Sequence, residues 1–108
     1  MTAEKIFENK IKKYLTDKKC YCVKYFGCNY STSGTPDLLC CINGYFVAIE
    51  VKAENGHPSA LQLQKIKEIR DAGGFGYVVY PSGWNKLKAI IDGILTDNFN
   101  KNEEVILK

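Results

Sequence analysis

The chain has 108 residues and a net charge of +3, and no apolar run approaches the roughly 18 residues a bilayer crossing demands. An apolar share of 45% and a charged share of 25% fit one globular domain with a modest core, which argues against a disordered, fibrous or membrane-embedded chain. The N-terminus is charged and lacks a signal peptide's apolar stretch, so a cytoplasmic protein with no membrane partner is expected. Five cysteines, at 20, 22, 28, 40 and 41, are an odd number without the C-x2-C spacing of zinc sites. They are expected as small apolar residues in strands. Arg70 is the sole arginine among fifteen basic residues. Lysines act on phosphates as point charges, so any nucleic-acid contact should read backbone and shape before sequence.

The first predicted element is a helix over residues 3 to about 18, with Thr2 as N-cap. Phe7, Ile11, Tyr14 and Leu15 recur at helical spacing, and lysines fill the other side and the C-terminal end. Glu4 and Glu8 stand one turn apart on one face, and Glu8 can pair with Lys12 at i,i+4. Cys20 to Phe26 alternates and is predicted as the first strand. Lys24 there is open to two readings, a phosphate contact or the polar face of an edge strand. Gly27 to Ser33 is a polar loop in which Tyr30 is either a base-stacking residue or a plain surface aromatic.

Two apolar runs, Leu38 to Ile42 and Tyr45 to Lys52, then flank Asn43-Gly44, the strongest short-range signal for a type I′ hairpin. Side chains alternate along a strand, so Glu50 and Lys52 share a face while Ile49 and Val51 take the other. With Ile42 opposite Tyr45, counting back places Asp37 opposite Glu50. Two carboxylates and an ammonium thus converge on an apolar sheet. Burying like charges together is costly unless a cation lies between them, and a hard divalent metal suits carboxylate oxygens. The competing reading makes Glu50 and Lys52 an ordinary surface ion pair and Asp37 a turn residue.

Ala53 to Pro58 is a second loop, carrying the single histidine, His57, and a secondary candidate, Glu54. Ser59 is predicted to cap a helix that runs to about Ala72, with Leu63, Ile66 and Ile69 as its buried stripe and Gly73-Gly74 as its stop. Phe75 to Tyr80 is a core strand, joined parallel to the Glu50 strand through that helix. Trp84 to about residue 96 is an amphipathic helix whose wide apolar stripe packs on the sheet or at a dimer seam. Residues 1–97 are taken as one domain. Residues 98–108 form a tail in which Val105-Ile106-Leu107 is a short strand or a partner contact.

Gly34-Thr35-Pro36-Asp37, twelve residues, then Glu50-Val51-Lys52 resembles the PD-(D/E)xK nuclease signature, and its surroundings resemble the virus-type replication-repair nuclease (VRR-NUC) family. Further matches lie at Phe7-Glu8, Val23-Lys24-Tyr25, Ser59-Ala60-Leu61-Gln62 and Ala72-Gly73, so the likeness covers roughly residues 5 to 81. It implies an α/β, restriction-endonuclease-like core: a mixed β-sheet flanked by helices in α-β-β-β-α-β-α order. It also implies Mg²⁺ or Mn²⁺ held by Asp37, Glu50 and the Val51 backbone carbonyl, with Lys52 acting on the attacking water. Glu8, or Glu4 as alternative, would bind a second metal or an outer water, and Gln62, or Gln64, would orient these groups. Lys24, Tyr30, Ser33, Thr35 and His57 are the implied DNA contacts.

The function implied by this resemblance is a metal-dependent endonuclease of DNA repair or recombination. Stand-alone phage members of the family resemble Holliday-junction resolvases that work as homodimers, which suggests branched DNA as partner and a bacterial or phage-infected cell as setting. Flap cutting, nicking of duplex, and a catalytically silent nucleic-acid-binding module are the alternatives.

Overall fold

The computed structural model describes residues 1–27, 33–101 and 103–108. The protein is α/β, with a five-stranded mixed sheet in the order β1-β2-β3-β4-β5. The strands are β1 (Tyr21–Lys24), β2 (Leu38–Ile42), β3 (Tyr45–Val51), β4 (Phe75–Val79) and β5 (Ile106–Leu107). Helices α1 (Ala3–Asp17), α2 (Ala60–Asp71) and α3 (Trp84–Leu95) flank the sheet, and a 3₁₀ turn at Pro81–Gly83 leads into α3. The element order is the expected one, with β5 added at the far edge.

Local chemistry accounts for most of this order. Thr2 caps α1 by accepting from the Lys5 N–H at 3.1 Å. Asn43 and Gly44 both take positive φ, 52° and 83°, as a two-residue I′ hairpin requires. The resulting register sets Ile42 against Tyr45 and Leu38 against Ile49. Ser59 and Gln62 form a reciprocal capping box at the start of α2, and Gly73 ends that helix at φ 99°. β4 then pairs parallel to β3, as the strand–helix–strand order predicts.

The alternating sides of the sheet have different covers. Leu38, Ile42, Val47, Ile49, Val51 and Tyr77 pack with Phe7, Ile11 and Leu15 of α1 and with Leu87, Ile91 and Ile94 of α3. On the opposite face, α2 contributes Ile66, which packs with Val78 and Tyr80. The expected stripe on α2 is therefore narrower than its sequence suggests. Leu63 is 37% exposed and Ile69 half-buried, because α2 lies over β3 and β4 and leaves the β1–β2 side uncovered. Tyr21, Val23 and Phe46 are exposed for the same reason. The stripe of α3, by contrast, packs on the sheet through the buried Leu87, Ile91 and Ile94, with Trp84, Ile90 and Leu95 partly buried beside them.

The C-terminal segment joins the fold. β5 pairs parallel to β4, and Leu107 is buried. Arg70 fastens it by donating to the carbonyls of Gly76 (2.8 Å), Glu103 (2.9 Å) and Glu104 (3.2 Å) while its guanidinium lies over the Tyr77 ring. The sole arginine is thus a structural clamp. Cys20, Cys22, Cys40 and Cys41 are free thiols. Cys22 and Cys40 are cross-strand partners with sulfurs 3.3 Å apart, whereas Cys41 points outward and is exposed, contrary to the expected burial. Cys28 lies outside the described residues. Among the described residues no helix is long and apolar enough to cross a membrane.

Candidate functional site

The cluster forms where β3 ends and β2 begins. One step beyond the Leu38–Ile49 pair, the hairpin register brings Asp37 to Glu50. The Gly-Thr-Pro-Asp entry has a structural basis: Gly34 sits at φ 80°, and an added Cβ would lie 2.8 Å from the Leu61 side chain. Only glycine allows the chain to turn there against α2 and deliver Asp37 to the sheet's end.

Asp37 accepts from two elements. Its Oδ2 accepts from the Val51 backbone N–H at 2.9 Å, and its Oδ1 accepts from Lys24 Nζ at 3.1 Å. Lys24 also donates to Glu8 Oε1 at 2.7 Å, so one ammonium lies between two carboxylates contributed by α1 and by the β2 entry. Glu8 is almost fully buried and takes further ion pairs from Lys5 (2.8 Å) and Lys12 (3.8 Å). Burial alone would raise the Glu8 carboxyl, but the hydrogen bonds from Lys24 and Lys5 hold it below its ordinary value. Burial likewise works against the charge on Lys24, and its bonds to Glu8 and Asp37 outweigh it, so its pKa stands above the usual lysine value.

Glu50 is in a different situation. It is 2% exposed, and its Oε1 is buried without a hydrogen-bond partner among the described residues. Its Oε2 accepts from Gln62 Nε2 at 3.0 Å and lies 3.4 Å from Lys52 Nζ. Burial and the neighbouring Asp37 charge push its carboxyl up to about 8, against the opposing pull of Lys52. An orphaned buried carboxylate oxygen facing a second carboxylate is expensive, and it is the feature that suits a divalent cation. Asp37 and Glu50 offer hard oxygen donors for such an ion, so the residues present fit Mg²⁺ or Mn²⁺. Among the described residues, however, no three His, Cys, Asp or Glu side chains come together as a ready cation cage. Glu8 reaches Asp37 only through Lys24.

Several sequence alternatives separate on geometry. Glu8, not Glu4, is the helix acid drawn to Lys24. Gln62, not Gln64, meets Glu50; Gln64 donates to Glu68 at 3.3 Å on the exposed side of α2. Gln62 also accepts from the Ser59 N–H at 2.9 Å, so the helix cap fixes the amide that steadies Glu50. Lys52 is mostly buried, with 14% of its side chain exposed, and its N–H donates to the Val79 carbonyl at 3.0 Å.

Glu54 lies apart, donating nothing and accepting from the Ser82 N–H (2.7 Å) and hydroxyl (3.2 Å). Together with Tyr80, whose hydroxyl donates to the Gly56 carbonyl at 2.8 Å, it pins the loop after Lys52. Of the implied DNA contacts, His57 and Ser33 are exposed and Thr35 is half-buried beside Pro36. Tyr30 lies outside the described residues. Lys24 is drawn into the cluster and does not project from an edge strand.

Sequence reasoning missed the inward role of Lys24 and the part played by Lys5. Lys5 was readable, because it precedes Glu8 by three residues on a helix. Lys24 was not, because its direction follows from its pairing with Leu38 across a loop whose length leaves register open.

Fold and cluster together define an α/β protein that gathers carboxylates, lysines and one amide at the end of a mixed sheet. Neither the known family models nor the curated proteins include a match to this chain.

Proposed function

We propose that the protein is a metal-dependent DNA endonuclease of the PD-(D/E)xK type, similar to the VRR-NUC family, acting in the cytoplasm on branched DNA. The observation that carries this reading is the Asp37–Glu50 pair: two acids close enough for one to raise the other's carboxyl, with Glu50 Oε1 buried and orphaned and its Oε2 beside Lys52. A protein that only bound DNA would have no use for such a repulsive arrangement. Asp37 and Glu50 would hold the ion, with the Val51 carbonyl as a further oxygen. When bound, a divalent cation would polarise a non-bridging phosphate oxygen and lower the cost of ionising water. Lys52 would orient the attacking water, take part in its proton transfer, and offset charge developing on the phosphate. Gln62 would keep the Glu50 carboxylate facing the ion. The lysines of α1 would steady Glu8 at the rim of the cluster.

Symmetric nicking of a four-way junction requires two such sites and hence a homodimer. That is the form proposed here, and sedimentation of the free protein measures it. The decisive assay is cleavage of a labelled four-way junction in Mg²⁺ or Mn²⁺, beside flap, splayed-arm and linear DNA of equal sequence. Wild type should cut the junction, and Asp37→Asn and Lys52→Ala should not. Asp37→Asn should still bind the junction, since it removes a negative charge from the phosphate's path, and that binding should weaken steeply with salt. Failure of wild type to cut any of these substrates in either metal would refute the reading.

A further inference from the structure

We propose that Lys24 is a displaceable counterion, which occupies the cluster before a divalent cation loads and is released toward the DNA backbone when it does. This inference rests on the nuclease reading above. Lys24 Nζ bridges Glu8 Oε1 at 2.7 Å and Asp37 Oδ1 at 3.1 Å, so it lies against a carboxylate that the ion would also need. An ammonium and a dication on one carboxylate repel each other strongly in a partly buried setting.

Lys24 is the member that can leave. Its side chain is 20% exposed, which gives the ammonium a path to solvent. Its departure releases only Glu8 Oε1, and the carboxylate keeps its charge compensated through Oε2, which retains Lys5 at 2.8 Å and Lys12 at 3.8 Å. Asp37 would exchange the ammonium for the metal and retain the Val51 N–H at 2.9 Å. The freed ammonium then stands at the rim, on a flexible stem, where a phosphate bound at the metal would pass. Metal loading and backbone contact would thereby become coupled, because both favour the same outward position of one side chain.

Isothermal titration of Mn²⁺ into DNA-free wild type, Lys24→Met and Lys24→Arg tests this. Lys24→Met should bind Mn²⁺ at least tenfold more tightly than wild type, and Lys24→Arg, which keeps the charge, should stay near the wild-type affinity. A second readout needs no variant: acetylation of wild type by an N-hydroxysuccinimide ester, followed by peptide mass spectrometry. Lys24 should be protected in chelator and modified several times faster in saturating Mn²⁺, with Lys13 as an exposed reference. Equal Mn²⁺ affinity of wild type and Lys24→Met, or Lys24 labelling unchanged by metal, overturns the counterion role and leaves the nuclease reading intact. Absence of Mn²⁺ binding in every protein overturns the metal site itself, and the counterion role with it.

Discussion

Replacing Glu50 with glutamine should stabilise the metal-free protein at alkaline pH, an unusual outcome for changing a buried residue in a candidate active site. Burial and the Asp37 charge raise the Glu50 carboxyl from an ordinary 4.5 to about 8. Between those values the folded protein keeps a proton that the unfolded chain has released, so stability falls as pH rises through this window. The gap corresponds to about 5 kcal/mol, at about 1.4 kcal/mol per pH unit. The raised value already contains the pull of Lys52, so the loss of its carboxylate partner in the variant is not subtracted again. The expectation at pH 9 is that Glu50→Gln is more stable than wild type by about 4–5 kcal/mol. At pH 5.5 the side chain is largely uncharged in both folded proteins, and the two should differ much less. Urea unfolding followed by Trp84 fluorescence at the two pH values, in chelator, measures this. All other titrating groups are common to both proteins, so the change in their difference reports Glu50 together with its interactions with Asp37 and Lys52. Saturating Mn²⁺ at pH 8 should stabilise wild type and leave Glu50→Gln almost unaffected. A stability difference that stays constant between pH 5.5 and 9 would refute the argument that Glu50 is a strained, uncompensated carboxylate.

Gln62→Ala removes the amide that bonds Glu50 at 3.0 Å and the Ser59 N–H at 2.9 Å. It should cost about 1–2 kcal/mol in urea unfolding and slow junction cutting, whereas Gln64→Ala should change neither. Arg70→Met removes three bonds to carbonyls and the stacking on Tyr77. The result should be a loss of about 2–3 kcal/mol and faster hydrogen exchange at Ile106 and Leu107, with the cluster at Asp37 undisturbed. Ile91→Ala opens a cavity where α3 meets the sheet at a fully buried position, and should cost about 2–5 kcal/mol by the same unfolding assay.

The meeting of Asp37 with Glu50 was legible because a two-residue turn fixes register, and register is arithmetic once Asn43 and Gly44 are recognised. The helix caps at Thr2 and Ser59 were legible for a related reason: each is decided within four residues by one side chain and one N–H. Gln62 was placed by the family resemblance, with Gln64 as alternative; the structure adds that the cap which starts α2 also holds its amide. The expected stripe on α2 went wrong because periodicity reports which residues share a helical face, not how far the neighbouring sheet extends beneath it. Leu63 shares that face and is nonetheless 37% exposed.

Lys24 shows the deeper boundary. Its alternation in β1 was plain, yet the acids that claim it come from a helix 16 residues earlier and a turn 13 residues later. Whether a lysine faces water or closes an ion pair between a buried and a half-buried carboxylate depends on how α1 docks against β1. Docking is decided by the summed packing of Phe7, Ile11 and Leu15 on the sheet, a many-body quantity that no short spacing encodes. The same holds for Arg70, whose carbonyl partners exist only once the C-terminal segment has returned to lie beside β4. By itself, then, the sequence determined the local turns, caps and hairpin register that bring two acids face to face. Only tertiary packing decided which cations answer them, because charge compensation in a protein interior is a matter of distance across elements and not of position along the chain.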